Sequence, residues 1–304
     1  MLIRQRSVPY SGIVSQLQSV LADYLTLTKP MIIILLLVTA LGGMFLAEQG
    51  IPSSALILWV LMGGALASGG ANALNHYMER ESDQRMTRTR NRPVASHRIE
   101  PWQALAFGVL LNLLGFAVLV AWVNLLSAAL TIGATLFYIL IYTVWLKKST
   151  TQNIVIGGAA GAVPPLVGWA AVTGGLGLPA FYLFAIIFFW TPPHFWALAL
   201  LIRRDYARAN IPMLPVVKGV RETTWNIFLY SLLLVALTLV FFTTQAVGWV
   251  YLAGAGGLGA ILIYMAWKLW RDEGATSARS VYLYSLLYLA GLFGAIMVDS
   301  TVSL

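Results

Sequence analysis

Long apolar runs separated by short polar segments set the pattern of this chain. Nine runs, near 27–47, 55–78, 103–122, 124–146, 153–172, 179–201, 226–246, 249–267 and 281–299, stand out. Each has about the 20 residues a helix needs to cross roughly 30 Å of hydrocarbon. The runs are continuous and lack period-two alternation, so they predict helices and not the strands of a membrane barrel. The pairs 103–122/124–146 and 226–246/249–267 nearly touch, but their combined lengths predict two helices each. The expected fold class is all-α: one polytopic membrane domain over 1–304, with nine transmembrane helices around a central cavity. A 1–25 segment precedes the first span, and loops 79–100 and 202–224 are expected to cap the cavity.

Charge placement supports this count. All 19 Lys and Arg lie at or before the start of the first span, or after the second, fourth, sixth and eighth. The other connections carry none. The positive-inside rule therefore predicts a cytoplasmic N-terminus and cytoplasmic basic loops, with the C-terminus on the opposite side. The first 25 residues lack the apolar core and cleavage site of a signal peptide, and Asp23 argues against a transit peptide. A bacterial cytoplasmic (inner) membrane is expected ahead of a mitochondrial one.

Composition narrows the function classes. Hydrophobic residues make up 59% and charged residues 10%, against about 25% charged in an average soluble domain. This excludes a disordered or collagen-like chain and a water-soluble enzyme. The absence of cysteine excludes thiolate metal sites, iron–sulfur clusters and a cysteine nucleophile. The net charge of +8 follows from membrane topology, so the lipid bilayer is the expected partner and nucleic acid is not.

One polar stretch, N-A-L-N-H-Y-M-E-R-E-S-D-Q-R-M-T-R-T-R-N-R-P (72–93), stands apart. Asn75, Glu79 and Asp83 are spaced i, i+4, i+8 and share a helix face. Three oxygen donors on one stripe suit a hard cation such as Mg²⁺, which takes few carboxylates and shares substrate phosphate oxygens. Arg88 and Arg92 lie beside it, and the guanidinium fork matches phosphate. The ordinary alternative is a loop of mixed surface charges. A second cluster follows the sixth span, with Asp205 beside Arg203, Arg204 and Arg208. The second and sixth spans run the same way, so both clusters should emerge on one face. His194 follows Pro192-Pro193 inside an apolar span, a costly place for an imidazole. A packed histidine bonded to a carbonyl is the plain alternative. His76 and His97 are assigned to loop or interface positions and given no role. Tyr142 and Lys147-Lys148 end the fourth span, as interfacial anchors or as groups reaching a diphosphate. Gly157 and Gly161 have the spacing that lets helices approach closely, and Pro164-Pro165 should kink their helix. Phe195 and Trp196 are core or lipid-facing by default; in a cavity they can stack on a flat macrocycle.

These stretches resemble the UbiA-type intramembrane prenyltransferases, and within them the branch that farnesylates haem. The resemblance rests on L-T-K-P (27–30), 72–93, Y-T-V-W-L-K-K-S-T through A-V-T-G (142–174) and T-P-P-H-F-W-A-L-A through N-I-P-M-L-P-V-V-K-G (191–219). Glu79 stands where the wider family has aspartate, and Ala209 where a second acid would follow Asp205. The resemblance implies transfer of farnesyl from farnesyl diphosphate to a vinyl group of haem B, with addition of water, giving haem O. It implies Mg²⁺ held by Asn75, Glu79, Asp83 and Asp205, with haem B as substrate rather than cofactor. Lys29, Arg88, Arg92, Tyr142, Lys147 and Arg204 are then expected at the diphosphate. His194, Phe195, Trp196 and Trp169 are expected at haem or the prenyl chain, with His194 as iron ligand or as the base that directs water. A haem A synthase or a terminal oxidase is the natural recipient. Competing readings are prenylation of an aromatic quinone precursor, a polytopic transporter, and a structural membrane subunit.

Overall fold

The computed structural model describes residues 10–302, with side chains from Gln16 onward; Arg4 and Arg6 of the charge count lie outside the described residues. The described residues form helices joined by short turns, in the order α1 (Tyr10–Thr28), α2 (Pro30–Glu48), α3 (Ser54–Arg85), α4 (Pro101–Trp122) and α5 (Leu125–Leu136). The last continues as a π-helical stretch, Phe137–Leu146, and a final turn, Lys147–Ser149. Then come α6 (Asn153–Gly161), α7 (Pro164–Thr173), α8 (Leu178–Leu201), α9 (Arg203–Arg208), α10 (Leu214–Val217), α11 (Gly219–Phe241), α12 (Trp249–Asp272) and α13 (Ala275–Val302). Among the described residues, nine spans are long and apolar enough to cross a membrane, with α6 and α7 forming one of them. The protein is an integral membrane protein.

Three expectations change in detail. The N-terminal segment contains a helix: α1 buries Leu27 and sets Tyr24 edge-on to Phe107. It exposes Leu17, Leu21 and Leu25, the stripe of a helix lying along a membrane surface. Second, the first basic loop begins at residue 86 and not 79, because α3 runs on to Arg85. Its polar last turns are buried against cations from other elements, so nothing forces the helix to end. Third, 202–224 is largely helical: α9, α10 and the first turn of α11 replace a loop. Pro215 near the start of α10 and Gly219, with φ +83°, punctuate it.

Packing explains why α3 is held so firmly. It lies against α4 over most of its length. A Cβ on Gly70 would stand 2.6 Å from the carbonyl oxygen of Gly108, and one on Gly115 2.9 Å from that of Gly63. Both helices thus carry glycines seven residues apart at matching levels. In lipid, where apolar burial drives little association, such close backbone approach is the main source of helix affinity. At the other side, α13 packs on both α2 and α8 and closes the bundle. Pro164-Pro165 do break the fifth span, between Gly161 and Pro164. The 157/161 glycine pair only half fulfils its expected role. Gly157 is pressed against the Tyr142 ring, where a Cβ would stand 2.2 Å from Cδ2, whereas Gly161 has nothing within 4 Å.

Candidate active site

The last turns of α3 carry a buried polar stripe. Asn75, Glu79 and Asp83 are 1%, 5% and 2% exposed. Each is met by a cation from a different element. Lys29 Nζ donates to Asn75 Oδ1 at 2.8 Å. The Lys147 ammonium pairs with the Glu79 carboxylate. Arg92 Nη1 donates to both oxygens of Asp83, at 3.0 and 2.9 Å. Three basic side chains thus face two carboxylates in a buried space, an arrangement that suits an arriving anion.

Local backbone geometry aims these cations. Lys29 sits between α1 and α2 in the left-handed region, φ 53° and ψ 61°. That conformation costs a non-glycine residue about 1–2 kcal/mol, and such strain is characteristic of functional sites. Burial first, then the Arg92 cation, push the Lys29 ammonium down to about 7, against the pull of Glu79. Lys147 ends the π-helical stretch 137–146, and π geometry is frequent where a helix serves a site. Thr143 Oγ donates five residues back to Tyr138 O at 2.9 Å and accepts from Asn75 Nδ2 at 3.3 Å. Tyr142 stacks on Tyr138, with ring centroids 5.6 Å apart, and Lys147 Nζ lies 5.9 Å from the Tyr142 ring centre.

The second cluster meets the first. Asp205 Oδ2 accepts from the Arg88 backbone N–H at 3.2 Å, and Arg208 bridges Asp205 Oδ1 (3.3 Å) and Thr87 Oγ (2.9 Å). Burial would raise the Asp205 carboxyl, but the Arg88 N–H, the Thr87 bonds and the Arg208 guanidinium outweigh it and hold it below the usual carboxylate range. Arg88 therefore reaches the cluster through its backbone, while its side chain is exposed. Arg204 is exposed too, on a cleft lined by Leu200, Ile202, Arg203 and Asp205.

Among the described residues, no three acidic, histidine or cysteine side chains stand close enough together to hold a metal ion. Asn75, Glu79 and Asp83 are nonetheless hard oxygen donors on one face. Mg²⁺ commonly takes one or two carboxylates and completes its shell with phosphate oxygens and water. The donor set fits an ion shared with an anionic ligand; it does not form a closed protein cage.

His194 stands apart from the stripe, on α8 and facing α13. Its ring stacks on Trp190 (centroids 4.4 Å) and Tyr282 (4.8 Å), and Nδ1 lies 2.7 Å from Ser285 Oγ. Ser285 Oγ already donates its proton to Tyr282 O at 2.7 Å. It must therefore accept from His194 Nδ1–H, which leaves Nε2 with the lone pair of the neutral ring. Phe195 meets His194 edge-on at 5.2 Å but is 37% exposed. Trp196 is buried edge-on to Tyr230, 5.2 Å away, in a separate core cluster. Trp169 packs beside Gly177, near the end of the bundle away from the stripe. The structure does not bring these three aromatic side chains together. Sequence reasoning passed over Thr143, Tyr138 and Ser285, and it misplaced His76. His76 is not in a loop; it is buried inside α3.

Residues 36–291 match the UbiA prenyltransferase family. The chain is 51% identical over 297 residues to a protein from Gloeobacter violaceus named protoheme IX farnesyltransferase, covering 97% of this chain and 95% of that one. It is 49% identical over 284 residues to a protein of the same name from Roseiflexus sp., covering 93% of this chain and 53% of the relative. The chain thus spans about half the length of some curated relatives it matches and nearly the whole of others. Among solved structures, a digeranylgeranylglyceryl phosphate synthase superposes with a TM-score of 0.75 at 18% identity, over 92% of this chain and 98% of that one. A UbiA homologue from Archaeoglobus fulgidus bound to GPP and Mg²⁺ gives 0.67 at 16%, over 90% and 99%. At these identities the structural likeness bears on the fold.

Proposed function

Because the chain belongs to the UbiA prenyltransferase family, we propose that it transfers the farnesyl group of farnesyl diphosphate to a vinyl group of haem B, with addition of water, releasing diphosphate and giving haem O. The observation that carries this reading is the buried stripe of Asn75, Glu79 and Asp83 met by Lys29, Lys147 and Arg92. The farnesyltransferase name shared by relatives near 50% identity favours haem B as acceptor over a quinone precursor. A transporter or structural subunit leaves that stripe unexplained.

The chain's own groups suit ionisation of an allylic diphosphate. Mg²⁺ held by Asn75, Glu79 and Asp83, with Asp205 from the facing cluster, would neutralise the diphosphate and make it a better leaving group. Lys29, Lys147 and Arg92 supply positive charge where the leaving diphosphate gains negative charge. Here they neutralise the acids; beside a diphosphate the same ammonium and guanidinium groups turn to its oxygens. Arg88 and Arg204 are exposed beside Asp205, and Tyr142 lies beside Lys147, where they are proposed to meet the diphosphate. An apolar cleft of about 350 Å³ lined by Leu130, Gly133, Phe137, Ala160 and Val163 suits the prenyl tail.

His194 is assigned to the haem side. With Nδ1–H given to Ser285, the free Nε2 can ligate haem iron or take a proton from the water that adds. Of the aromatic candidates, Phe195 is adjacent to His194, whereas Trp196 and Trp169 serve packing. The stripe and basic segments face the cytoplasm of a bacterial inner membrane, and haem O passes to a haem A synthase or a terminal oxidase.

The reading is tested by incubating purified protein with haem B, farnesyl diphosphate and Mg²⁺, with and without chelator, and weighing the extracted pigment. A chelator-sensitive product heavier by one farnesyl and one water is expected. Diphosphate release without any haem product would retain the donor site and discard the acceptor.

A further inference from the structure

His76 is 2% exposed, and both its ring nitrogens are buried without a hydrogen-bond partner. A buried polar group left unpaired costs about 1–3 kcal/mol, and such groups are rare enough in folded proteins to require a reason. Its position supplies one. His76 precedes Asp83 by seven residues, so the two lie on one line of α3, two turns apart. Asn72, one turn earlier on that line, donates to Thr28 O at 2.9 Å, next to Lys29. Asn75, the residue before it, accepts from Lys29, and Asp83 on its own line accepts from Arg92. Among the buried polar side chains of the stripe, Asn75, Glu79 and Asp83 each have a partner; His76 alone does not.

We infer that His76 is a diphosphate-binding residue: its ring N–H is held unpaired in the ligand-free protein and donates to an anionic oxygen of the bound diphosphate. This rests on the proposed function of the stripe. An imidazole keeps at least one N–H donor in either protonation state. Donation to an oxyanion makes a charge-assisted bond, roughly twice as strong as a neutral one. The unpaired nitrogens then have a function: the ligand relieves a cost that the folded protein carries.

The test uses full-length protein and inorganic pyrophosphate with Mg²⁺, measured by calorimetry, together with thermal unfolding of the ligand-free forms. His76→Leu replaces an unpaired polar ring by an apolar side chain. Its unfolding midpoint should be unchanged or raised, while pyrophosphate binding weakens roughly 10- to 100-fold, the span of a hydrogen bond to a charged group. His76→Gln, which keeps an N–H, should recover part of the affinity. In turnover, the KM for farnesyl diphosphate should rise and the KM for haem should not. A Leu variant that unfolds early or fails to fold, while His76→Gln binds as the wild type does, would show a structural histidine and overturn the assignment. So would undiminished pyrophosphate binding by the Leu variant, or a loss confined to the haem KM, which would point the ring at a haem carboxylate. If wild-type protein itself bound no pyrophosphate, the diphosphate reading of the whole stripe would fall, and that result is distinguishable from failure of His76 alone.

Discussion

Lys147 and Glu79 form a buried ion pair in the site, with side chains 14% and 6% exposed. Removing one partner of a buried ion pair leaves an uncompensated charge and typically costs about 3–5 kcal/mol, whereas replacing both is far milder. Glu79→Gln and Lys147→Met should therefore each lower the unfolding midpoint sharply, and the double variant should regain much of that loss while remaining inactive. A double-mutant cycle on unfolding free energy measures this; additive losses would mean that the two groups are not coupled. Ser285 acts on His194 in a different way. Ser285→Ala removes the acceptor that fixes the Nδ1–H tautomer, and loss of such an orienting group commonly costs ten-fold or more. Steady-state kinetics should show kcat down about ten-fold with the farnesyl diphosphate KM unchanged. How far these residues were legible varies. Asn75, Glu79 and Asp83 announced themselves by i, i+4 spacing, and Lys147 by its place at a span end. Ser285 is one hydroxyl in an apolar helix, and only α8 packed beside it gives it a meaning. His76 was lost among polar neighbours that looked like an interface.

At the scale of elements, run length located every span, because nine apolar runs at helical length leave little freedom. It misjudged where α3 ends. Charged residues at 79–85 read as loop, since the cations that let a helix bury them come from sequence far away. The π-helical stretch 137–146 was equally hidden: F-Y-I-L-I-Y-T-V-W-L presents the same apolar run in either geometry. The glycines of α3 and α4 were visible in sequence, but their register was not. Gly70→Ala places a methyl 2.6 Å from the Gly108 carbonyl oxygen, so the two helices must separate. The expected result is a lowered thermal midpoint together with lost transferase activity, because α3 carries the stripe. Gly257→Ala on α12, whose Cβ meets nothing within 4 Å, is the control and should leave both unchanged. Equal behaviour of the two variants would show that the tight α3–α4 contact is not what holds the stripe in place.

For the whole molecule, charge asymmetry is the organising fact. Every Lys and Arg among the described residues lies at the end of the bundle that holds the stripe, while the other end carries only Glu48 and Asp299, and Asp299 caps α12 through Gly248 N and Tyr251 N. This gradient both orients the chain in a membrane and gathers cations where an anionic donor must arrive from the aqueous phase. On the proposed function, orientation and chemistry share one cause, and inverting the molecule would place the site on the wrong side of the bilayer. Because the chain has no cysteine, single cysteines report sidedness without background. Ser149→Cys, exposed in the last turn beyond Lys148, and Ser54→Cys, exposed at the start of α3, mark opposite ends. In right-side-out vesicles from bacterial cells, a membrane-impermeant maleimide should label position 54 and spare 149; in inverted vesicles the pattern should reverse. Labelling of 149 from the outer side would place the diphosphate site away from the cytoplasm and refute the cytoplasmic orientation drawn from the basic segments. Labelling of both from one side would instead mean that α3 and α5 do not cross the bilayer as the bundle requires.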